Sequence, residues 1–137
     1  LDEHSRNTIL YIPPTDDVVS ILRQADVVVL PSEYNEGIPR CLLEALACGK
    51  LIITTDWKGC RETVDHGQNG FLIERGDVGA LEKAMEWCIC ADREMLNKMG
   101  EASRHKAEQE FGERRVISTY LQAIRQETAG SFEELKV

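Results

Sequence analysis

The chain alternates short, continuous apolar runs with longer stretches in which apolar residues recur every third or fourth position. Val27-Val28-Val29-Leu30 is unbroken and apolar, which predicts a strand buried on both faces, and Leu51 to Thr54 predicts a second. Phe71 to Ile73 reads as a third, short strand, and Thr8 to Ile12 as a further β-type run stopped by Pro13-Pro14. Between these runs the spacing turns helical. Thr15 or Asp16 is placed to cap a helix reaching about Gln24, with Val18, Val19, Ile21 and Leu22 as its apolar side. Pro39 to Cys48 predicts another, with proline at its first position and Gly49 at its C-terminal end. Arg61 to Val64 fits one helical turn, and His66-Gly67-Gln68-Asn69-Gly70 fits tight turns.

After Asp77 the pattern is helical almost throughout. Asp77 caps a helix through Trp87, with Ala80, Leu81, Ala84, Met85 and Cys88 at inward spacing. Asp92 opens the next, carrying Met95, Met99, Ala102 and His105, until Phe111-Gly112 breaks it. Arg114 to Gln126 is a last amphipathic helix with Val116, Tyr120, Leu121 and Ile124 inward, and a polar, frayed tail follows from Thr128. Strands alternating with helices predict an α/β fold: a Rossmann-like parallel sheet flanked by helices, with helices at its C-terminal end. Ligands of such sheets bind beyond the carboxyl ends of the strands. That places Ser32 to Pro39 and Asp56 to Glu62 along one rim.

Composition narrows this picture. A length of 137 residues suits one core, and 42% hydrophobic with 29% charged residues is ordinary for a soluble globular chain. The net charge of -8 argues against a nucleic-acid footprint, though it leaves room for a local cationic pocket. Five cysteines form no metal-ligand pattern, since Cys88-Ile89-Cys90 has the wrong spacing for a zinc knuckle. They read as free thiols of a reducing cytosol. No leader-peptide pattern is visible, and no apolar run approaches the roughly twenty residues needed to span a bilayer. Leu1 to Asn7 is polar and uninformative, and the chain reads as a piece of a longer protein.

The stretch from Ser32 to Lys50 carries the chemistry. A strand ends in a polar loop that delivers Glu36 and Gly37, then enters a helix carrying Glu44, eight positions after Glu36. The unpaired N–H groups and positive dipole end of that helix suit an anion. Glu44 sits among Cys41, Leu42, Leu43, Ala45, Leu46 and Ala47, so the helix reads as buried nearly all round and its carboxylate needs partners. Either Glu44 points out through a thin exposed strip or pairs with Lys50 or Arg40, or it accepts hydrogen bonds from vicinal hydroxyls. Glu36 alone is equally a plain loop carboxylate. Together the two flank a helix N-terminus as the hydroxyls of a nucleotide sugar flank its diphosphate.

Leu30-Pro31-Ser32, Glu36-Gly37-Ile38-Pro39 and Leu43-Glu44-Ala45-Leu46-Ala47-Cys48-Gly49 resemble the Glu-x7-Glu signature of retaining GT-B glycosyltransferases, family 4. The similarity continues through Leu51 to Thr54, Gly59, Arg61-Glu62-Thr63-Val64, Gly67, Gly70 to Ile73 and Asp77 to Ala84. It implies that residues 1–112 are part of a nucleotide-sugar donor domain, followed by a C-terminal helix over 113–127 and a tail over 128–137. It implies that Glu36 is the catalytic residue, holding donor-sugar hydroxyls and stabilising charge at the anomeric centre. Ser32, Gly37, Ile38, Pro39 and Arg40 join it in the donor site; backbone amides from Gly37 to Arg40 meet the diphosphate, except at Pro39, which has no N–H. Glu44 binds ribose hydroxyls. Family members need no metal, and no Asp-x-Asp clasp is present; Asp16-Asp17 reads as a helix cap.

The resemblance also implies partners: a nucleotide sugar, an N-terminal acceptor domain of the same protein, and for the whole enzyme a cytoplasmic location with peripheral association at the inner membrane face. The family's glycine-rich loop with its Arg and Lys pair does not precede Thr8. Arg40, Lys50, Lys58 and Arg61 are the cations near the motif, Lys58 and Arg61 reading as surface charges; His4, His66 and His105 read as structural or solvated. The alternative is a non-catalytic domain of the same fold that binds a nucleotide sugar or a partner protein. A phospho-receiver, which would want an acidic pair at the end of an early strand and an aspartate after a central one, is discounted because Leu30 is followed by Pro31-Ser32.

Overall fold

The computed structural model describes residues 9–34 and 37–133, with side chains as far as residue 126. Thr8, His4, Glu36 and residues 134–137 lie outside these. Helix α1 (Val18–Gln24) leads to strand β1 (Val27–Leu30), helix α2 (Arg40–Ala47) and strand β2 (Leu51–Thr55). A 3-10 turn (Arg61–Thr63) and strand β3 (Gly70–Ile73) follow, then α3 (Val78–Cys90), α4 (Arg93–Glu110) and α5 (Glu113–Glu133).

The strands form one parallel sheet in the order β1-β2-β3, with Val28 opposite Ile52 and Ile53 opposite Phe71. Side chains alternate across a strand, so β2 feeds two cores. Ile52 packs with Leu42, Ala45, Leu46, Cys60 and Val64 under α2. Leu51 and Ile53 face the opposite way, onto Ala84, Cys88 and Met99 of α3 and α4. All five β2 residues are buried, and each large aliphatic side chain among them adds roughly 1.5–3 kcal/mol of hydrophobic stabilisation.

Close backbone approach sets the layers. A Cβ on Gly70 would lie 2.0 Å from the Ile52 carbonyl oxygen, and one on Gly100 would lie 2.5 Å from that of Gly49. Gly49 itself ends α2 at φ 65, a left-handed conformation natural to glycine. Asp77 and Asp92 cap α3 and α4 as expected, accepting from the backbone N–H of Ala80 and Met95.

Several expectations are corrected. Ile9–Ile12 is not a strand; Leu10 and Tyr11 are 83% and 80% exposed, and no described strand offers this run a ladder partner. The cap of α1 is Asp17, which accepts from Ser20, while Thr15 Oγ1 accepts from the Asp17 N–H. Of the expected apolar side of α1 only Leu22 is buried. Strand β1 is only partly covered on each face, Val28 and Leu30 packing under α2 and Val27 onto the other core, while Val29 is exposed.

Helix α4 turns inward at Leu96, Met99, Gly100, Ser103 and Lys106, so Met95 and His105 face out. Two polar residues thus belong to the inward face, which an apolar count cannot register. Val116, Tyr120, Leu121 and Ile124 are exposed, because α5 rests only lightly on the other elements. Helix α5 also continues to Glu133, through the start of the expected tail.

Candidate functional site

Parallel strands bring three segments to one rim: residues 31–34 and 37–39 after β1, 56–60 after β2 and 74–77 after β3. The first loop is anchored at its start, where Thr54 Oγ1 donates to the Leu30 carbonyl at 2.7 Å. The Ser32 N–H donates back to the same carbonyl at 3.0 Å, and Ser32 Oγ accepts from the Tyr34 N–H at 3.4 Å. Ser32 is therefore committed to shaping the loop. Gly37 and Ile38 are exposed, and space around the Gly37 Cα is open to 4 Å. Pro39 is buried and serves as the N-cap of α2, one position before the expected place, with extended ψ of 128.

Among the described residues no side chain caps α2. The Leu42 and Leu43 N–H groups both turn back to the Pro39 carbonyl, at 3.1 and 3.3 Å. The positive end of the helix dipole faces the rim and favours negative charge there. Helix α2 is amphipathic rather than apolar all round: Leu42, Ala45 and Leu46 are fully buried while Arg40, Cys41 and Ala47 are exposed. Glu44 lies on the boundary, its side chain 30% exposed. Its Oε1 accepts from Arg40 Nε at 2.8 Å, while the Arg40 side chain is 91% exposed. An exposed pair of this spacing contributes about 0.3–0.5 kcal/mol. The sequence left open whether Glu44 points out, pairs with Lys50 or Arg40, or accepts from vicinal hydroxyls. The structure pairs it with Arg40 and turns Lys50 away, its Nζ bonded to the Arg23 carbonyl at 3.2 Å.

The second loop is braced from within. Arg61 donates to the Asp56 carboxylate at 3.0 Å and to the Asp56 carbonyl at 2.9 Å, and Glu62 accepts from the Gly59 N–H at 2.7 Å. The guanidinium of Arg75, from the third loop, lies over the Trp57 ring at 5.3 Å. Sequence reasoning passed over Arg75, although the rim rule that selected the first two loops selects the loop after β3 equally. Two cavities of about 340 and 570 Å³ lie elsewhere, the first against Lys50 and Gly100 and the second along Val27, Val29 and Met85.

His66 stands outside the rim: its Nδ1 accepts from the Leu72 N–H at 3.0 Å and its ring meets Phe71 edge-on. Cys48, Cys60, Cys88 and Cys90 are free thiols; Cys88 is buried, which pushes its thiol above the ordinary range. Among the described residues no three His, Cys, Asp or Glu side chains gather as metal ligands, and no helix is long and apolar enough to cross a membrane.

Comparison with known proteins places this geometry. N-acetyl-alpha-D-glucosaminyl L-malate synthase of Bacillus anthracis is 33% identical over 118 residues, which are 85% of this chain and 30% of that protein. A glycosyltransferase from Rickettsia africae superposes with a TM-score of 0.82 at 24% identity, over 88% of this chain and 32% of its own length, and shares the fold. Anabaena HepE, whose structures hold UDP or UDP-glucose, reaches a TM-score of 0.67 in its UDP complex, at 26% identity over 88% of this chain and 31% of its own. The chain thus spans about a third of the length of the relatives it matches. The family described as Glycosyl transferases group 1 matches residues 3–106, and the chain belongs to it.

Proposed function

We propose that the chain is the donor-binding part of a glycosyltransferase that moves a sugar from a nucleotide-diphosphate donor to a glycan, a lipid-linked or a small-molecule acceptor, with retention of configuration. The observation that carries this reading is the side chain of Glu44. It lies in the second turn of the helix whose N-terminus faces the rim, with its carboxylate turned back one helical turn towards Arg40. A carboxylate there meets ribose hydroxyls when the diphosphate sits on the N–H groups from Gly37 to Arg40, Pro39 excepted. The diphosphate of HepE's UDP suits such a seat.

Glu36 in the same loop holds hydroxyls of the donor sugar and steadies positive charge at the anomeric carbon. Dipole and amides aimed at the departing diphosphate lower the barrier most, since that is where negative charge grows. Ser32 shapes the loop. An acceptor domain of the same protein supplies the facing wall, and the whole protein works in the cytoplasm, resting peripherally on the inner membrane face where its acceptor is lipid-linked. The chain alone binds donor but turns it over poorly, because no acceptor is held in attack geometry.

Titration with nucleoside diphosphates by calorimetry tests this. UDP, or another nucleoside diphosphate, is expected to bind at millimolar affinity or better, and Glu44→Gln to weaken it about tenfold. If no nucleotide binds at millimolar concentration, or if Glu44→Gln leaves binding unchanged, the reading fails.

A further inference from the structure

We propose that the exposed apolar stripe of α5 is a lipid-contact surface, which lies flat in the headgroup layer of an anionic bilayer. This rests on the reading above and names the surface through which the protein meets the membrane. Val116, Ile117, Tyr120, Leu121 and Ile124 recur at the spacing of one helix face, and each is 48 to 68% exposed. Neither core includes any of them. Their helix is held at its start, where Phe111 packs against the core under α2 and Arg115 donates to the Gln109 carbonyl at 2.9 Å.

The distribution of charge says which partner suits the stripe. The chain as a whole carries -8, yet from Arg114 to Gln126, between Glu113 and Glu127, it holds three arginines and no acidic residue. At 3.6 residues per turn Arg114 and Arg125 fall on one flank of the helix, beside Leu121. An apolar stripe edged by arginine is the pattern of a helix that lies on a membrane surface. The aliphatic stems run along the apolar side while the guanidinium heads stay among the phosphates. Tyr120, in the middle of the stripe, has an apolar ring and a polar tip that suit the same depth. Acidic groups held farther than about 8–10 Å from the lipid are screened at physiological salt, so they leave this attraction in place.

A second copy of the chain fits the stripe less well. Antiparallel pairing of two stripes about Tyr120 brings Arg114 of each copy level with Arg125 of the other, on the same side of the pair. Like charges then meet along the whole contact.

Co-sedimentation with vesicles of phosphatidylcholine, alone or mixed with phosphatidylglycerol, tests this on the chain and on the full-length protein. Both should prefer the mixed vesicles, and added salt should weaken that preference. Arg114→Gln and Arg125→Gln should each weaken binding to mixed vesicles about five-fold and leave binding to phosphatidylcholine unchanged. Leu121→Glu should lower binding to both kinds of vesicle while urea midpoint and UDP affinity stay at the wild-type values, because Leu121 is exposed. If neither protein binds mixed vesicles, or the arginine variants bind them as well as wild type, the stripe is not a lipid contact. If the chain binds but the full-length protein does not, or if Leu121→Glu leaves full-length binding unmoved, the rest of the protein covers the stripe and the proposal is wrong. A dimer in vesicle-free solution that Leu121→Glu dissolves would assign the stripe to a second copy instead. These outcomes leave the donor site untouched, which fails separately if no nucleoside diphosphate binds.

Discussion

The hydroxyl of Ser103 donates to the carbonyl of Lys50 at 2.7 Å, joining the middle of α4 to the entrance of β2 across 53 positions of sequence. The same oxygen lies 3.4 Å from the Asn69 carbonyl, just before β3. One buried side chain therefore serves two strand entrances. Ser103→Ala leaves buried carbonyls short of a donor and should cost about 1–2 kcal/mol. Urea unfolding should show a lower midpoint with an unchanged slope.

Gly70 and Gly100 should tolerate no side chain. A methyl group at either would collide with backbone, at 2.0 Å from the Ile52 oxygen and 2.5 Å from the Gly49 oxygen. Gly70→Ala and Gly100→Ala should each destabilise by about 3 kcal/mol or more, since backbone rather than a flexible side chain must give way. Gly79→Ala is the contrast: the new carbon would meet only the Asp77 carboxylate at 3.5 Å, and α3 should become slightly more stable. Thermal melts of the three variants provide the comparison, and a mild effect at Gly70 would contradict the layer spacing described here.

Lys106 lends the fold a dependence on alkaline pH. Burial alone would lower its ammonium, but hydrogen bonds from it to Asp65 and Glu110, at 3.0 to 3.1 Å, outweigh burial and hold it above the ordinary lysine range. A raised folded value means that the stabilisation is complete below the unfolded lysine value and is lost as pH rises through the folded one. Wild type should lose urea resistance over that alkaline window more steeply than Lys106→Met. At neutral pH that variant should be about 1–3 kcal/mol less stable, a figure moderated because both carboxylates are half exposed. Parallel pH profiles of the two proteins would show that the ammonium plays no such part.

Glu36 is a test of chemistry rather than of stability. On the donor reading proposed above, Glu36→Gln in the full-length protein should lower kcat by about 10²–10³ with a smaller change in KM, the pattern of a group that acts on charge developing in the transition state. Single-turnover kinetics with a nucleotide sugar would show it. An equal loss in donor affinity would move Glu36 to a purely binding role.

The elements that sequence placed well are those whose cause is local. Asp77 and Asp92 cap helices because each is followed by N–H groups within reach of its own carboxylate. The strands β1, β2 and β3 announce themselves as apolar runs, and the parallel order puts Ser32 to Pro39 and Asp56 to Glu62 on one rim. What sequence could not reach depends on distant partners. Lys106 turns inward because Asp65 lies 41 positions away, and Ile9–Ile12 stays out of the sheet for want of a neighbour. The Arg40–Glu44 pair was one of several local options, and only the direction taken by Lys50 towards Arg23 decides among them.

The rim loop after β1 is tied at both roots, by the Thr54 hydroxyl on the Leu30 carbonyl and by the burial of Pro39. The two tethers fix where the chain leaves β1 and where it enters α2. Closure entropy grows only with the logarithm of loop length, and the ring fixes one backbone angle of the second root outright. Lengthening the chain between these tethers should leave the two cores beneath it untouched.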